Sequence, residues 1–228
     1  MTLWGVSLLI VGPIMLVHAF LTGNITPLYR VGMRISIICV RLTGVKIEVR
    51  GLENLQPSRS YIFMSNHVSN LDPPVYVPNI PGRCSVLIKK EVFRVPVFGR
   101  VLKMAEMVPV DRSNREAAIE SVHAAEEVLR RGLNMVIFPE GTRSPDGHLL
   151  PFKKGPFHLA MEANVPVIPV TLLGTFECWP KGTWKMRKGK TTVVFHPPID
   201  PSGFTDREEL MAAVRQSIAS ALPEDRRD

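Results

Sequence analysis

The amino-acid sequence predicts an α/β fold, in which a mainly parallel central sheet is flanked by helices and preceded by an N-terminal two-helix membrane-associated hairpin. Apolar runs of strand length recur between residues 44 and 228, and an amphipathic stretch of helical period separates two of them. A strand, a helix and a second strand in this spacing indicate a βαβ unit and a parallel pair of strands. Residues 1–43 differ, because the first 29 residues carry no Asp, Glu, Lys or Arg. We therefore divide the chain into a hairpin of residues 1–43 and an α/β domain of residues 44–228.

The composition restricts both the class of protein and its partners. The chain of 228 residues is 45% hydrophobic and 21% charged, a globular balance that excludes a disordered tail protein. Its 28 basic residues exceed its 21 acidic residues, and the net charge of +7 favours nucleic acid, a membrane surface or a phosphorylated substrate as partner. Cys39, Cys84 and Cys178 are odd in number and far apart, so neither a disulfide framework nor a CxxC-type zinc site is expected.

The first predicted helix, Leu3–Leu21, is apolar along its whole length. At about 1.5 Å per residue, a straight helix of this length would nearly cross a hydrocarbon core of roughly 30 Å. Pro13 removes a backbone donor near its middle and predicts a kink. Because no basic stretch or small-residue cleavage site accompanies the segment, we expect it to be retained. Three arrangements stay open: a half-buried interfacial hairpin, which we favour, a spanning anchor, and a soluble segment.

The second predicted helix, Leu28–Leu42, follows the turn-forming residues Thr22–Pro27. Arg30, Arg34 and Arg41 would share one side of this helix, beside a stripe of apolar residues at three- and four-residue spacing. A basic stripe beside an apolar stripe is typical of a helix that lies on an anionic membrane surface. An ordinary amphipathic core helix is the alternative.

Seven strands and two long helices are predicted in the α/β domain. Alternation of apolar and polar residues, or a short continuous apolar run, marks each strand. The predicted strands are Val45–Val49, Tyr61–Met64, Ser85–Ile88, Met107–Val110, Asn134–Phe138, Val165–Val170 and Thr192–Phe195. Pro109 weakens the fourth, because proline cannot donate a ladder hydrogen bond. The capping box Ser113–Glu116 predicts a helix that ends at Gly132. A second capping box, Thr205–Glu208, predicts a final helix to about Leu222.

The segment Asn66–Asp72 directly follows a predicted strand, where sites gather in open α/β sheets. His67 could act as a base near neutral pH, and the carboxylate of Asp72, five residues on, could accept its Nδ1 hydrogen. That contact would fix the tautomer and leave Nε2 free. The alternative is structural, because Asp72 precedes two prolines and an Asp–Pro step is an ordinary helix N-cap.

Phe138–Ser144 follows another predicted strand and carries one carboxylate, Glu140, and one guanidinium, Arg143. Such a turn could bind a substrate with a hydroxyl and a phosphate, since the arginine fork gives phosphate two parallel charge-assisted bonds. An internal ion pair between Glu140 and Arg143 is the alternative. Lys89 and Arg112 each lie just past a predicted strand, where a cation could meet the same phosphate.

The segment Trp179–Lys190 has five basic residues, two tryptophans and no acidic residue. Tryptophan prefers the boundary between lipid and water, and the cations would meet lipid phosphates, so the segment is typical of a membrane contact. A solvated hairpin tip is an equal alternative.

Missing motifs exclude other classes of protein. The sequence has no GxSxG nucleophile elbow, no GxGxxG dinucleotide fingerprint, no P-loop and no metal-ligand spacing among its six histidines. Because no nucleic-acid-binding module accompanies the basic charge, a membrane is the expected polyanion and no nucleic-acid partner is expected.

Together these blocks resemble the glycerolipid acyltransferase family, most closely the 1-acyl-sn-glycerol-3-phosphate (lysophosphatidic acid) acyltransferases. Asn66–Asp72 matches the family's His-x4-Asp block, and Phe138–Ser144 matches its FPEGTRS block. Lys89–Gly99 with Arg112 matches the block between them, and Val165–Val170 matches the last. The resemblance covers roughly residues 45–198 and carries four blocks in order. One departure is the pair at 105 and 106, alanine and glutamate, where many members have glycine shortly before the Asp-Arg pair.

The resemblance implies that residues 44–228 form an acyltransferase domain. A fatty acyl group would pass from an acyl-CoA or acyl-carrier-protein thioester directly to the 2-hydroxyl of 1-acyl-sn-glycerol-3-phosphate, giving phosphatidic acid. His67 would be the general base and Asp72 would orient it. No metal and no cofactor other than the thioester co-substrate is expected, because a thioester is already an activated acyl donor. The substrate-binding residues would be Glu140, Gly141, Thr142, Arg143, Lys89 and Arg112, and the residues that shape the turn would be Asn66 and Ser69.

Two alternatives remain from the sequence. The first keeps the chemistry and changes the acceptor to another lysophospholipid or to a lyso-aminolipid. The second is a catalytically silent membrane-binding module on the same fold, against which the intact pair of His67 and Asp72 argues. Since the acceptor is a lipid, we expect the protein at the cytoplasmic face of a membrane, anchored by its N-terminal segment and attracted by anionic membrane lipids.

Overall fold

The computed structural model describes residues 13–110 and 115–227 and has an α/β architecture. Its sheet contains β1 Val45–Arg50, β2 Ile62–Ser65, β3 Cys84–Lys89, β4 Val108–Val110, β5 Asn134–Ile137, β6 Val167–Leu173 and β7 Gly189–Phe195. The helices of these residues are α1 at residues 13–22, α2 Thr26–Leu42, α3 Asp72–Tyr76, α4 Phe98–Met104, α5 Arg115–Arg130, α6 Gly155–Ala163, α7 Thr175–Cys178 and α8 Arg207–Ser220. Short 3₁₀ turns join several of these elements.

The strand order across the sheet is β1-β7-β6-β2-β5-β3-β4. The five strands from β6 to β4 run parallel to one another, whereas β7 is antiparallel to β6 and β1 is parallel to β7. The sheet is therefore mainly parallel, as predicted, with two reversed strands at one end. Strands β6, β2, β5 and β3 end side by side at Leu173, Ser65, Ile137 and Lys89, and this border of the sheet is called the carboxyl edge below.

Both faces of the sheet are buried, which explains why its central strands are continuously apolar. In β2, the side chains of Ile62 and Met64 lie in one core cluster and that of Phe63 lies in the other. Helices α5, α6 and α8 cover the first face, and helices α2 and α3 cover the second. The helices on both faces leave the carboxyl edge as the place where loops can form a site.

The predicted strands are all present, and they differ from the observed strands only at their ends. The largest difference is in the strand predicted at Val165–Val170, which extends over Val167–Leu173. Pro109 is tolerated in β4 because this strand lies at the border of the sheet and has a neighbour, β3, on one side only.

The two predicted capping boxes have different outcomes. Helix α5 is present, but Ser113 of its predicted capping box lies outside the described residues. The box predicted at Thr205–Glu208 is wrong by one residue, because the side chain of Asp206 is the N-cap and accepts the amide hydrogen of Glu209 at 2.9 Å. The Glu209 carboxylate accepts the amide hydrogen of Thr205 at 3.2 Å, one residue before the N-cap, so the arrangement resembles a capping box without its reciprocal bond to the N-cap amide.

The N-terminal region contains two helices, of which α1 is described from residue 13 onward. Residues 3–12 of the predicted helix Leu3–Leu21 lie outside the described residues. Within the described residues, no helix combines the length and the apolar character that crossing a membrane requires. Helix α2 begins two residues earlier than predicted, because Pro27 fits the first turn of a helix. Its buried Val40 belongs to the main core, so α2 packs on the α/β body.

Helix α4 ends at the position where the sequence departs from the family pattern. Glu106 has φ +59°, in the left-handed region that favours glycine. Its carbonyl accepts a hydrogen bond from Ser85 Oγ at 2.6 Å, and its carboxylate pairs with Arg83 at 3.3 Å and Arg131 at 3.5 Å. These contacts offset a backbone strain of roughly 1–2 kcal/mol.

Candidate active site

The turn after β2 brings the predicted catalytic pair together. His67 Nδ1 lies 2.7 Å from Asp72 Oδ2. The same oxygen accepts the backbone amide hydrogens of Val68 and Ser69, each at 2.7 Å. The side chain of Asp72 is fully buried, whereas 18% of the His67 side chain is exposed. With Nδ1 held by the carboxylate, Nε2 is the nitrogen that can serve a substrate as base.

Asp72 does not cap helix α3. It is the first residue of that helix, whose N-cap is Leu71 without a side-chain cap, and its carboxylate instead binds the preceding turn. The N-cap interpretation of the sequence is therefore wrong. Pro73 and Pro74 occupy positions in the first helical turn that need no amide donor, so the helix can begin at once after the turn. Among the described residues, no donor hydrogen-bonds Asp72 Oδ1, which is also buried.

The ring of His67 stacks on Phe138, with 3.8 Å between ring centroids and 19° between ring planes. This contact follows from the sheet, because β2 and β5 are parallel neighbours with Met64 opposite Ile137. The residues just past these two strands therefore meet at the carboxyl edge. The ring of Tyr76 lies edge-on to Phe138, with 6.2 Å between ring centroids and 84° between ring planes. The aromatic contacts restrict the orientation of the base.

Glu140 connects the turn after β5 to the backbone of the base. Its Oε1 accepts the amide hydrogen of His67 at 2.6 Å, and its Oε2 accepts that of Leu150 at 3.1 Å. Only 2% of Glu140 is exposed. Burial raises the pKa of this carboxyl from 4.5 to about 7; the charge of Asp72 also raises it, and the two amide bonds and the Arg215 cation lower it. Its oxygens are thus held by the backbone of the protein.

Arg215, on helix α8, supports the same region from the C-terminal part of the chain. Its Nη1 donates to the carbonyl of Leu150 at 2.9 Å. Its Nη2 donates to the carbonyls of Leu149 at 3.2 Å and Arg227 at 3.0 Å. The guanidinium lies 5.4 Å from the centroid of the Phe152 ring. A connected series of contacts therefore runs from α8, through the 149–150 backbone and the Glu140 carboxylate, to the amide of the base.

Asn66 and Ser69 fix the catalytic turn to its neighbours on the β6 side. The Asn66 side chain donates to the carbonyl of Leu172 at 3.0 Å and accepts the amide hydrogen of Leu172 at 2.8 Å. Ser69 Oγ donates to the carbonyl of Trp179 at 2.6 Å and accepts the amide hydrogen of Leu71 at 3.0 Å. These contacts hold the backbone on both sides of the histidine.

Arg143 lies beside the catalytic turn, where its Nη1 donates to Asn70 Oδ1 at 2.6 Å. Within the described residues, Glu140 forms no ion pair with Arg143, so the internal pair considered from the sequence is wrong. Gly141 has φ +72°, which lets the chain reverse between the two residues, and Thr142 is exposed. A guanidinium next to this turn suits a substrate that carries a phosphate.

The structure thus brings most of the predicted site residues to one place on the carboxyl edge: Asn66, His67, Ser69, Asp72, Glu140, Gly141, Thr142 and Arg143. Lys89 ends β3 at the same edge, but it is exposed, and its described ion pair is with Glu91 at 3.7 Å. Arg112 lies outside the described residues. A phosphate contact by either cation stays a prediction. No group of three or more His, Cys, Asp or Glu side chains within the described ranges could hold a metal ion.

Sequence reasoning missed three parts of this site. The stacking of Phe138 on the base could have been inferred, because an aromatic residue ends the strand next to the one that precedes His67. Arg215 and the carbonyl of Trp179 had no signal, since they reach the site through contacts between residues 65 or more positions apart.

A histidine–carboxylate pair thus lies at the carboxyl edge of a mainly parallel sheet, which is where sites gather in proteins of the α/β class. A sequence model described as Acyltransferase matches residues 46–173, more than half of the chain. The chain therefore belongs to the acyltransferase family.

Curated relatives share this family. The 1-acyl-sn-glycerol-3-phosphate acyltransferase of Limnanthes alba is 39% identical over 175 residues, which are 76% of this chain and 62% of that protein. The human 1-acyl-sn-glycerol-3-phosphate acyltransferase alpha is 32% identical over 196 residues, which are 84% of this chain and 69% of that protein. The chain thus spans less than two thirds of the length of the plant relative.

A solved structure shares the fold. It is the crystal structure of the 1-acyl-sn-glycerophosphate (LPA) acyltransferase PlsC from Thermotoga maritima. The two superpose with a TM-score of 0.75 at 29% sequence identity, over 95% of this chain and 89% of that chain. The α/β fold with a mostly parallel sheet is therefore shared along nearly the whole chain.

Proposed function

We propose that this protein transfers a fatty acyl group from an acyl-CoA or acyl-carrier-protein thioester to the 2-hydroxyl of 1-acyl-sn-glycerol-3-phosphate. The observation that carries the proposal is the contact between His67 Nδ1 and the buried Asp72 carboxylate, 2.7 Å long, at the carboxyl edge. The names of the relatives support lysophosphatidic acid as the acceptor. The products would be phosphatidic acid and the free thiol of the donor.

The chemistry requires one proton to move twice. His67 Nε2 removes the proton from the acceptor hydroxyl as its oxygen attacks the thioester carbonyl, and the Asp72 carboxylate stabilises the imidazolium that forms. When the tetrahedral intermediate collapses, the carbon–sulfur bond breaks and the imidazolium returns the proton to the leaving thiolate. Because the thioester is already an activated acyl donor, the residues of this chain need only orient it and transfer the proton.

The two charged residues of the FPEGTRS turn take different roles in this proposal. Arg143 binds the phosphate of the acceptor, because its fork lies next to the catalytic turn and gives charge-assisted bonds. The family resemblance implies that Glu140 also binds substrate. Its burial and its two amide contacts instead favour a positioning role, in which the carboxylate holds the backbone of His67.

A second acceptor class keeps the same mechanism. Another lysophospholipid, or a lyso-aminolipid, also presents a hydroxyl near an anionic headgroup. Rates of thiol release with lysophosphatidic acid, with other lysophospholipids and with a lyso-aminolipid would separate these acceptors.

The variant His67→Ala tests the catalytic role. Loss of a positioned base lowers the rate on the order of 10²–10⁴-fold. The assay is release of free thiol from an acyl-CoA in the presence of lysophosphatidic acid. His158→Ala is the matched control, because this exposed histidine lies on α6 and its described ion pair is with Glu162, at 3.8 Å. If folded His67→Ala retained more than about a tenth of the wild-type rate, the histidine would not be the base.

We also propose that the N-terminal helices act as a membrane-associated hairpin at the cytoplasmic face of a membrane. Arg30, Arg34 and Arg41 are exposed on α2 and would each contribute about 1 kcal/mol of attraction to anionic headgroups. Replacement of all three by glutamine should weaken flotation with anionic liposomes and flatten its dependence on salt. This variant is preferable to deletion of residues 1–43, because the deletion would uncover the core around Val40. Unchanged flotation at low salt would assign membrane attraction to other residues.

A further inference from the structure

We infer that Tyr76 is a positioning residue for the catalytic pair: its buried hydroxyl, which itself receives the hydrogen of Ser65, donates to the second oxygen of the Asp72 carboxylate. Each of these contacts is direct or passes through one internal water molecule. The kinetic consequence rests on the proposed function, whereas the effect on the proton of His67 Nδ1 does not.

The contacts around the catalytic turn hold the Asp72 carboxylate at one oxygen only. Oδ2 accepts the amide hydrogens of Val68 and Ser69 and lies 2.7 Å from His67 Nδ1. Oδ1 is buried and receives no hydrogen bond of good geometry from the described residues. A carboxylate spreads its charge over both oxygens, so a fully buried group is destabilised when one of them has no donor. A donor is therefore expected next to Oδ1.

Two hydroxyl groups in the same part of the core also lack a partner of good geometry within the described residues. They are Tyr76 Oη and Ser65 Oγ, and both side chains are fully buried. Buried polar groups are rarely left unpaired in native proteins. An ionised carboxylate only accepts hydrogen bonds, whereas each hydroxyl has one hydrogen to donate, so the three groups complement one another.

The backbone brings these three groups to the same face of the sheet. Asp72 and Tyr76 lie four residues apart on α3 and share one side of that helix. A long helical side chain leans towards the N-terminus, so the phenol of Tyr76 is directed back towards Asp72. Ser65 ends β2 two residues after Phe63, on the face of the sheet that α3 covers. The three groups therefore meet beneath the catalytic turn.

The electrostatics of Tyr76 agrees with this placement. Burial raises the pKa of its phenol far above the usual range, and Cys84 and Asp72 raise it further. The Ser65 hydroxyl lowers this pKa, as expected of a serine that donates to the phenol oxygen. The phenol thus keeps its hydrogen at neutral pH and can donate it to Asp72. The order of donation is Ser65 to Tyr76 to Asp72, and His67 is held by the other oxygen of that carboxylate.

The ring of Tyr76 supports the pair in a second way, which the test must keep separate. The ring lies edge-on to Phe138, which stacks on His67 with 3.8 Å between centroids. Tyr76→Phe keeps a ring at this position and removes only the hydroxyl. A loss in this variant therefore reports on the contact with Asp72.

The kinetic test compares two buried tyrosines of one core cluster. Tyr61→Phe is the matched control for Tyr76→Phe, because Tyr61 is 3% exposed and directly precedes β2, at the sheet edge opposite the site. It also loses a hydrogen bond, in which its Oη accepts the amide hydrogen of Gln56 at 3.3 Å. The assay is thiol release from an acyl-CoA with lysophosphatidic acid.

The kcat of Tyr76→Phe should fall roughly tenfold, because the carboxylate that orients the imidazole is then fixed at one oxygen only. The KM values of acceptor and donor should stay unchanged, since this hydroxyl does not touch substrate. Tyr61→Phe should keep both parameters. A wild-type kcat in Tyr76→Phe, a loss confined to KM, or an equal loss in Tyr61→Phe would overturn the positioning role.

Ser65→Ala tests the order of donation with a smaller change. It should lower kcat by less than Tyr76→Phe does, again without a change in KM. The double variant should lose no more than Tyr76→Phe alone, because the serine acts through the phenol. Losses that multiply would refute this order. If Tyr76→Phe failed to fold, a wild-type kcat in Ser65→Ala would still overturn the series.

Proton NMR of the resting protein needs no reaction. The proton between His67 Nδ1 and Asp72 Oδ2 should give a downfield resonance that is missing in His67→Ala. It should shift in Tyr76→Phe and not in Tyr61→Phe, because a donor at Oδ1 changes the strength of the bond at Oδ2. An unshifted resonance in Tyr76→Phe would refute the contact even for an active enzyme. If the wild-type protein released no thiol with any acceptor while the resonance shifted, the proposed reaction would fail and the role of Tyr76 would stand.

Discussion

Arg215→Gln tests whether a residue outside every motif supports the catalytic base. Arg215 holds the carbonyls of Leu149 and Leu150, and the amide of Leu150 donates to the carboxylate that also accepts the amide of His67. Glutamine is polar and favours a helix about as well as arginine does, but it has neither the positive charge nor the forked guanidinium of Arg215. The 149–150 backbone should then move away from Glu140.

The expected loss can be worked out from these contacts. A hydrogen bond to a charged group contributes about 1.5–3 kcal/mol. If the loosened backbone loses about half of one such bond to Glu140, at the upper end of that range, the position of His67 loses about 1.4 kcal/mol, which is tenfold in rate. We therefore expect kcat at neutral pH to fall about tenfold, with little change in the KM of the acceptor.

The pH dependence gives a more specific signature. The pKa of Glu140 is raised to about 7 by burial, and the negative charge of Asp72 adds to the rise. The Arg215 cation and the amide bonds from His67 and Leu150 oppose it. Loss of the cation therefore raises this pKa further, so the carboxylate takes up its proton at higher pH. The acidic limb of the rate profile should shift to higher pH, and activity should partly recover under alkaline conditions.

The assay is a pH–rate profile of thiol release for the wild-type protein and the variants. Arg207→Gln is the control, because Arg207 lies on the same helix, is exposed and pairs with Glu208 at 3.4 Å. In a Glu140→Gln background, Arg215→Gln should leave the acidic limb unmoved, since position 140 no longer carries a carboxyl group that the Arg215 cation can influence. An Arg215→Gln profile that matched that of Arg207→Gln would refute the reasoning.

Three further predictions follow from the site. Asp72→Asn removes the charge beside the imidazolium of His67, which is worth about 4 kcal/mol at roughly 4 Å, so kcat should fall roughly 10³-fold; a folded variant above a tenth of wild type would contradict this. Arg143→Ala should raise the KM of the phosphate-bearing acceptor about tenfold and leave that of the acyl donor unchanged; equal shifts in both would remove Arg143 from the phosphate site. Gly141→Ala should lower the free energy of unfolding by about 1–2 kcal/mol in denaturant titrations, because φ is +72° and the nearest atom to the new methyl, Lys153 Cγ, lies 3.5 Å away; an unchanged midpoint would show that the turn relaxes.

Local patterns in the sequence predict the elements well and their arrangement less well. Each of the seven strands carries a local signal: a short apolar run in the buried strands, and alternation of apolar and polar residues in the half-exposed β1. The antiparallel pairing of β6 and β7 has no such signal, since it depends on the path of the chain between Leu173 and Gly189. Short helices such as α3 and α7 were not predicted, because four or five residues do not complete a hydrophobic period.

The site shows the same division between local and distant contacts. The spacing of His67 and Asp72 suggested their hydrogen bond beside the alternative of a helix N-cap, and the structure contains the hydrogen bond because both residues lie on one turn. The contacts of Glu140 were not predictable from its motif, since one partner lies 73 residues before it in the chain. Burial decides the role of the Glu140 carboxylate. Its burial in turn depends on how the loops that follow the strands pack together at the carboxyl edge.

The departure at Glu106 illustrates how a sequence pattern and a backbone conformation are related. The left-handed backbone at this position is the reason that glycine suits it, and the chain keeps that conformation with a glutamate in its place. Ion pairs with Arg83 and Arg131, together with the bond from Ser85, compensate for the strain. In this chain the departure from the family pattern therefore coincides with the end of helix α4.

The two main blocks of the sequence are best understood as one structural unit. Glu140 accepts the amide hydrogen of His67, and the amide of Ser144 donates to the carbonyl of His67 at 2.8 Å, so the second block binds both backbone groups of the base. Support of this kind fixes the backbone of His67, the proposed base, in addition to the contacts that its side chain makes with Asp72 and Phe138. Much of the FPEGTRS block is accordingly explained by the position of the histidine, which leaves Arg143 and the exposed Thr142 as the residues free to meet the acceptor.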